Sequence, residues 1–290
     1  MWKSDTNFLL LGTFCALVGL FAVVISDQSV YCDPKMCPSY NNQPRHHIGC
    51  GNNGHFKSNC SADAEIIEMT KEKKILFLKL HNRLRDRFAR GKVPGFKTAA
   101  RMPMLKWNDE LAKLAELNVR TCNFEHDQCR ATKACPYAGQ NLGWMANSAH
   151  FPDENFIIKN LTREWFYEYR FAKQEHTNNY TVGRVPEGQI GHFTAFIHDK
   201  SDKVGCAVSK FTGNSKTFGG LNGYHDYKEY LVACNYCYTN MLYERSYTTG
   251  PTCSQCKDKK CGSIYKGLCK ESDAEPIPDV YQKGRGKKNK

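Results

Sequence analysis

Fifteen cysteines in 290 residues constrain this chain more than any other feature. Cys15 lies inside an apolar run from Phe8 to Ile25, and the other fourteen follow that run. Lys3 and the amino terminus precede it, and Val24-Ile25-Ser26 offers small residues near a cleavage position. Residues 1–26 therefore read as a signal peptide cut after Ser26. The competing reading is an uncleaved anchor, since the run approaches the shortest length that spans a bilayer. Fourteen cysteines entering an oxidising compartment predict seven disulfides and no free thiol. Cys234-x-x-Cys237 and Cys253-x-x-Cys256 also have zinc-ribbon spacing, but secreted zinc–thiolate sites are uncommon. Sequons at Asn59, Asn160 and Asn179 agree with secretion and mark candidate glycosylation sites. Asn59 is the weakest of them, because Cys60 occupies its middle position.

Residues 27–64 carry Cys32, Cys37, Cys50 and Cys60 among Asn, Gly, Pro and His, with no periodic apolar pattern. They read as a coiled lead-in held by disulfides. His46, His47 and His55 there are expected to be scattered surface histidines rather than metal ligands. A helix follows: Thr70 can cap it, and Phe77, Leu80, Leu84 and Phe88 recur at helical spacing until Gly91. A second starts at Asn108 with Leu111, Ala115, Val119 and Cys122 on one face. A third follows Asp153, with Ile157, Leu161 and Trp165 as its buried stripe. Glu168 extends that stripe, where a carboxylate needs a partner, a cleft or an edge reaching water. Glu164 projects to nearly the same side.

Beyond Gly191 the pattern changes. Phe193, Ala195 and Ile197 alternate with Thr194, Phe196 and His198, and Gly205–Phe211 and Tyr230–Tyr236 are short apolar runs. All three read as strands, with Gly213–Tyr224 as a glycine-rich connection. Helices first and strands later predict an α+β layered domain. Four cysteines then crowd into Cys253–Cys269, too short a segment for its own core. Residues 271–290 contain Pro276 and Pro278 followed by basic residues, and read as a disordered basic tail.

The net charge of +12 is concentrated. Lys71–Lys106 carries twelve Lys or Arg against Glu72 and Asp86, and Lys283–Lys290 adds five more. In an extracellular protein this suggests sulfated glycans or anionic membrane surfaces as partners, not nucleic acid. A solvated helix face and a solvated tail are the bland alternative.

His81-Asn-Arg-Leu-Arg85, Trp107-Asn-Asp-Glu-Leu-Ala112, Tyr137-Ala-Gly-Gln-Asn-Leu142, Gly191-His-Phe-Thr194, Val204-Gly-Cys206 and Cys234-Asn-Tyr236 stand in one order. Together they resemble the CAP superfamily of cysteine-rich secretory, antigen 5 and pathogenesis-related proteins. The lead-in and the His126-Asp-Gln-Cys129 segment are most similar to insect antigen 5. The resemblance implies an α-β-α sandwich over residues 65–237. The segment 238–270 resembles the hinge of cysteine-rich secretory proteins, without the six further cysteines of their channel-regulating module. The antigen 5 resemblance implies pairings Cys32–Cys50, Cys37–Cys129, Cys60–Cys122 and Cys206–Cys234. The hinge relatives add Cys135–Cys237, Cys253–Cys261 and Cys256–Cys269.

Relatives carry a cleft with two histidines and two glutamates, and in several the histidines bind a divalent metal. The matching positions are His126, His192 and Glu168, with Gln140 in place of the second glutamate. An amide takes no proton at neutral pH, which weakens general-base chemistry. No Gly-x-Ser-x-Gly elbow or unpaired cysteine supplies a nucleophile. The expectation is a secreted, non-enzymatic binding protein that requires no cofactor. It would carry a lipid or small hydrophobic ligand, or engage an extracellular protein partner, with His126 and His192 able to hold zinc weakly. Action through the basic surface in saliva, venom or seminal fluid is the second reading, and a metal-dependent hydrolase a minor third.

Overall fold

The computed structural model describes residues 30–37, 39, 42–213 and 226–270. The segments read as a signal peptide and a basic tail, and most of the glycine-rich connection, lie outside the described residues. No helix among the described residues is long and apolar enough to cross a membrane.

Helix α1 spans Lys71–Ala89, and the Thr70 hydroxyl accepts from Lys73 N–H at its start. Arg90 ends it, followed by Gly91 at a φ of 67°. Its buried stripe is Phe77, His81, Arg85 and Phe88, while Leu80 and Leu84 are only half-buried. Apolar periodicity therefore misplaced the middle of this face, because two polar side chains occupy it and are held there by hydrogen bonds. Arg85 donates to the carbonyls of Phe196, His198, Pro103 and Ser201 at 2.7–3.2 Å. His81 donates from Nδ1 to Phe77 O at 2.8 Å, bonds Tyr236 Oη through Nε2 and stacks on Phe196.

Helix α2, Asp109–Val119, is capped by Asn108 accepting from Leu111 N–H at 2.7 Å. Helix α3, Glu154–Tyr167, is capped by Asp153 and buries Ile157, Leu161 and Trp165. Between them β3, Gly139–Asn147, forms a strand that apolar pattern did not announce. A Cβ at Gly143 would lie 3.1–3.2 Å from Leu161 and Trp165, tighter than ordinary contact, so α3 approaches the strand closely there.

The sheet runs β1 (Glu65–Ile66), β6 (Lys203–Gly213), β7 (Tyr227–Tyr236), β3, with β2 (Lys106–Trp107) parallel to β6. The β6–β7 and β7–β3 ladders are antiparallel. Alternation along β7 sends Tyr230, Val232, Cys234 and Tyr236 into a core with α1 and α3. Leu231 and Ala233 point to the other face, where Ala115 and Val119 of α2 cover them. Two helical layers thus enclose one sheet, giving the α-β-α sandwich.

Residues 193–197 depart from expectation. Residues 193–196 form the end of a short helix, α5 (Gly191–Phe196), which Ile197 caps, not a strand. Phe193, Phe196 and Ile197 have helical spacing and all reach the core, while Thr194 Oγ1 donates to Ile190 O. A short segment buried on every side satisfies periods of 2 and 3.6 alike. Before α5 come α4 (Gln174–Asn178) and a small hairpin of β4 (Arg184–Val185) and β5 (Gly188–Gln189).

Seven disulfides join Cys32–Cys50, Cys37–Cys129, Cys60–Cys122, Cys135–Cys237, Cys206–Cys234, Cys253–Cys261 and Cys256–Cys269. The lead-in packs Tyr31 against Leu114 and Leu117 of α2. His47 is buried there, contrary to the surface reading. Its ring stacks on Tyr31, Nε2 donates to Ala131 O, and Nδ1 accepts from Gly49 N–H. His46 and His55 are exposed. The C-terminal cysteine segment does not stand apart: Tyr247, Tyr265 and Leu268 enter the main core.

Candidate functional site

Four elements converge on a cleft of about 300 Å³. His126 comes from the loop after α2, Gln140 from β3, and His192 from the first turn of α5, with Tyr180, Arg130 and Asn240 around them. Glu168 lies directly behind His192, at the end of α3.

The two imidazoles are held alike. His126 Nδ1 is 2.8 Å from Gln140 Oε1, an oxygen that only accepts, so Nδ1 carries the proton. The amide is oriented by its other end, since Gln140 Nε2 donates to Asp127 Oδ2 at 2.9 Å and Asn235 Oδ1 at 3.0 Å. Asn235 is itself fixed through Nδ2 to Leu111 O at 3.1 Å. Arg130 Nε and Asn118 Nδ2 hold Asp127 from the outside. On the other wall His192 Nδ1 donates to Glu168 Oε1 at 2.6 Å. Glu168 Oε2 accepts from the backbone N–H groups of His192 and Phe193 at 2.9 and 3.1 Å.

Each Nδ1 is thus engaged, and neither Nε2 has a hydrogen-bond partner among the described residues. This is the outer-shell arrangement that prepares an imidazole as a metal ligand. Burial lowers the pKa of His126, against the Gln140 hydrogen bond, and the charges of Arg130 and His192 lower it further. The ring thus stays neutral, as a ligand must. Two imidazoles give half of a tetrahedral set, leaving the rest to water or a bound group. Cys37, His47 and Cys129 also cluster, but the sulfurs form a disulfide and both His47 nitrogens are hydrogen-bonded.

The oxygens of Glu168 accept three N–H groups. Glu164 lies apart from the cleft, 4.0 Å from Arg170. Sequence reasoning singled out His126, Gln140, Glu168 and His192, and the structure brings them together. It did not single out Asp127 or Asn235, although both lie inside motifs that it quoted. Their role as orienting groups needs a cross-strand neighbour, Gln140 opposite Asn235, that only the β3–β7 register supplies.

The family described as the cysteine-rich secretory protein family, CAP, matches residues 78–236, more than half of the chain. The chain belongs to the CAP family. The antigen 5 like allergen Cul n 1 of Culicoides nubeculosus is 45% identical over 194 residues, covering 65% of this CAP protein and 86% of that one. Venom allergen-1 of Aedes aegypti is 36% identical over 239 residues, 82% and 86% of the two chains. The crystal structure of NaASP2 with Zn2+ superposes with a TM-score of 0.55 at 25% identity, over 73% of this CAP protein and 100% of that chain. None of these relatives is named for an enzymatic activity.

The aromatic residues between α1, α3 and α5 pack on one another. Phe166 meets Phe193 and Phe196 at centroid distances of 5.7 and 5.6 Å, and Phe88 meets Phe193 at 5.6 Å. They are core between α1, α3 and α5, whereas the cleft is lined mainly by polar groups.

Proposed function

We propose that this CAP protein is a secreted, non-catalytic binding protein whose cleft takes a divalent metal ion, zinc in the first instance. His126 Nε2 and His192 Nε2 would hold the ion, and its open positions would engage water or an acidic group of a partner. The observation that carries this reading is the paired engagement of the rings: Gln140 and Glu168 each claim a histidine Nδ1 and leave both Nε2 atoms unpartnered in one cleft. The same bonds argue against hydrolysis, because Glu168 accepts three N–H groups and Gln140 cannot take a proton. Secretion rests on the seven disulfides, which persist in oxidising compartments.

The test is native mass spectrometry of the secreted chain titrated with zinc. Wild type is expected to take up one ion, and His126→Ala with His192→Ala together is expected to take up none while keeping its melting temperature within a few degrees. Equal zinc uptake by the double variant overturns the metal reading. Peptide or ester hydrolysis that disappears with Glu168→Gln overturns the non-catalytic one.

A further inference from the structure

The basic stretch Lys71–Lys106 is not a single patch once folded. Lys73 pairs with Glu154, Lys74 with Asp109 and Arg90 with Asp86, at 2.7–2.9 Å, and Arg85 is buried. Arg83, Arg87 and Lys92 remain exposed without an ion pair among the described residues, and Arg87 Nε donates to Lys92 O at 3.3 Å. These three lie at the end of α1 where the C-terminal cysteine segment docks. Gly267 N–H donates to Asp86 Oδ1 at 2.6 Å and Thr252 Oγ1 to Ala89 O at 3.2 Å. Cys269 N–H donates to Met102 O at 2.8 Å. A Cβ on Gly267 would fall 2.7 Å from Arg90 Cγ, so this approach is as close as glycine allows. Tyr265, packed in the same place, senses the charges of Arg83 and Asp86.

The docked segment brings lysines of its own. Lys257, Lys259, Lys260, Lys266 and Lys270 are all exposed and unpaired among the described residues, against the single acid Asp258. Two features mark their placement. Lys270 N–H donates to Lys260 O at 3.0 Å beside the antiparallel backbone pairing of Cys261 with Cys269, which sets two like charges opposite each other. Lys259 sits at a φ of 53°, a left-handed conformation that favours glycine or asparagine. Two like charges set opposite each other favour an anion bound between them.

We infer that the outer face of α1 and the docked C-terminal segment form one composite site for a linear sulfated polysaccharide, read by Arg83, Arg87, Lys92, Lys259, Lys260 and Lys270. A repeating polyanion fits a surface whose cations are spread over two elements and carry no ion pair among the described residues. This site is separate from the cleft and shares with the proposed function only the extracellular setting. Exposed lysines gain from such a partner chiefly by releasing its counterions, so affinity must fall steeply with salt.

The experiment is heparin binding by the full chain across a salt series, with four variants. Lys259→Gly removes a cation and relieves the positive φ, so it is expected to fold at least as well as wild type and bind several-fold more weakly. Lys260→Gln with Lys270→Gln and, separately, Arg83→Gln with Arg87→Gln are each expected to weaken binding about tenfold or more at 0.15 M salt. Each is also expected to lower the slope of log affinity against log salt by about the number of charges removed. The fourth variant lacks Lys283–Lys290. Binding that is lost only on that deletion, or that responds to the lysines of the segment but not to α1, overturns the composite site. Capture by phosphatidylserine vesicles with no retention on heparin overturns it as well.

Discussion

His198→Asn tests how much of the stability of this CAP protein depends on buried neutral histidines. His198 is buried against Tyr238, its Nδ1 accepts from Lys200 N–H at 3.2 Å, and its carbonyl accepts from Arg85. Burial, followed by the charges of Lys200 and Arg85, pushes its pKa down to about 3. The folded pKa lies below the unfolded value near 6.5, so between those values the unfolded chain binds more protons. The stability from this group is complete above pH 6.5 and drains away as pH falls. At pH 5 the gap is about 1.5 units, and at about 1.4 kcal/mol per unit His198 costs about 2 kcal/mol. His81, pushed to about 3 by burial, adds a similar amount. Asparagine keeps an acceptor for the N–H two residues on and does not titrate. Guanidinium unfolding with disulfides intact, at pH 7.5 and pH 5, is the assay. Wild type is expected to lose about 2 kcal/mol more between the two pH values than His198→Asn does. The smaller side chain lowers stability at both pH values, so the difference, not the absolute value, is read. Equal losses in the two proteins refute the reasoning.

Three further outcomes are expected. Gly205→Ala would place Cβ 2.2 Å from Ala112 N and 2.4 Å from Asn108 O, both rigid backbone, so it should cost about 3 kcal/mol or more. A melting temperature within a degree of wild type contradicts this. Replacing Cys135 and Cys237 together by serine opens a link across 102 residues and should cost about 2–5 kcal/mol in denaturant unfolding; no measurable change in midpoint contradicts it. Glycopeptide mapping should find a glycan at Asn179, which is exposed after α4, and none at Asn59. The Asn59 amide donates to Thr121 O and Asn123 Oδ1 beside the Cys60–Cys122 bond, so an occupied Asn59 runs against the structure.

Local signals in the sequence determine much of the frame. Thr70, Asn108 and Asp153 are N-caps because a short polar side chain before an apolar period satisfies helix N–H groups whatever lies beyond. The stripes Leu111-Ala115-Val119 and Ile157-Leu161-Trp165 are legible for the same reason, as are β6 and β7. His126, Gln140, Glu168 and His192 were legible through family motifs, not through periodicity, which left Glu168 and Glu164 level. Tertiary structure decided the rest. Only packing between α1 and α3 makes 193–196 helical, and only the fold brings α3 close to the glycine inside β3. His81 and Arg85 look solvated in sequence, and their burial depends on carbonyls and a tyrosine brought from distant residues. The twelve basic residues of Lys71–Lys106 look like one patch, yet acids from α2 and α3 neutralise part of it and a C-terminal segment extends the remainder. Hydrogen bonding and charge pairing between residues far apart in the chain have no local signature, so the chemistry of the cleft and the shape of the basic surface appear only in the folded molecule.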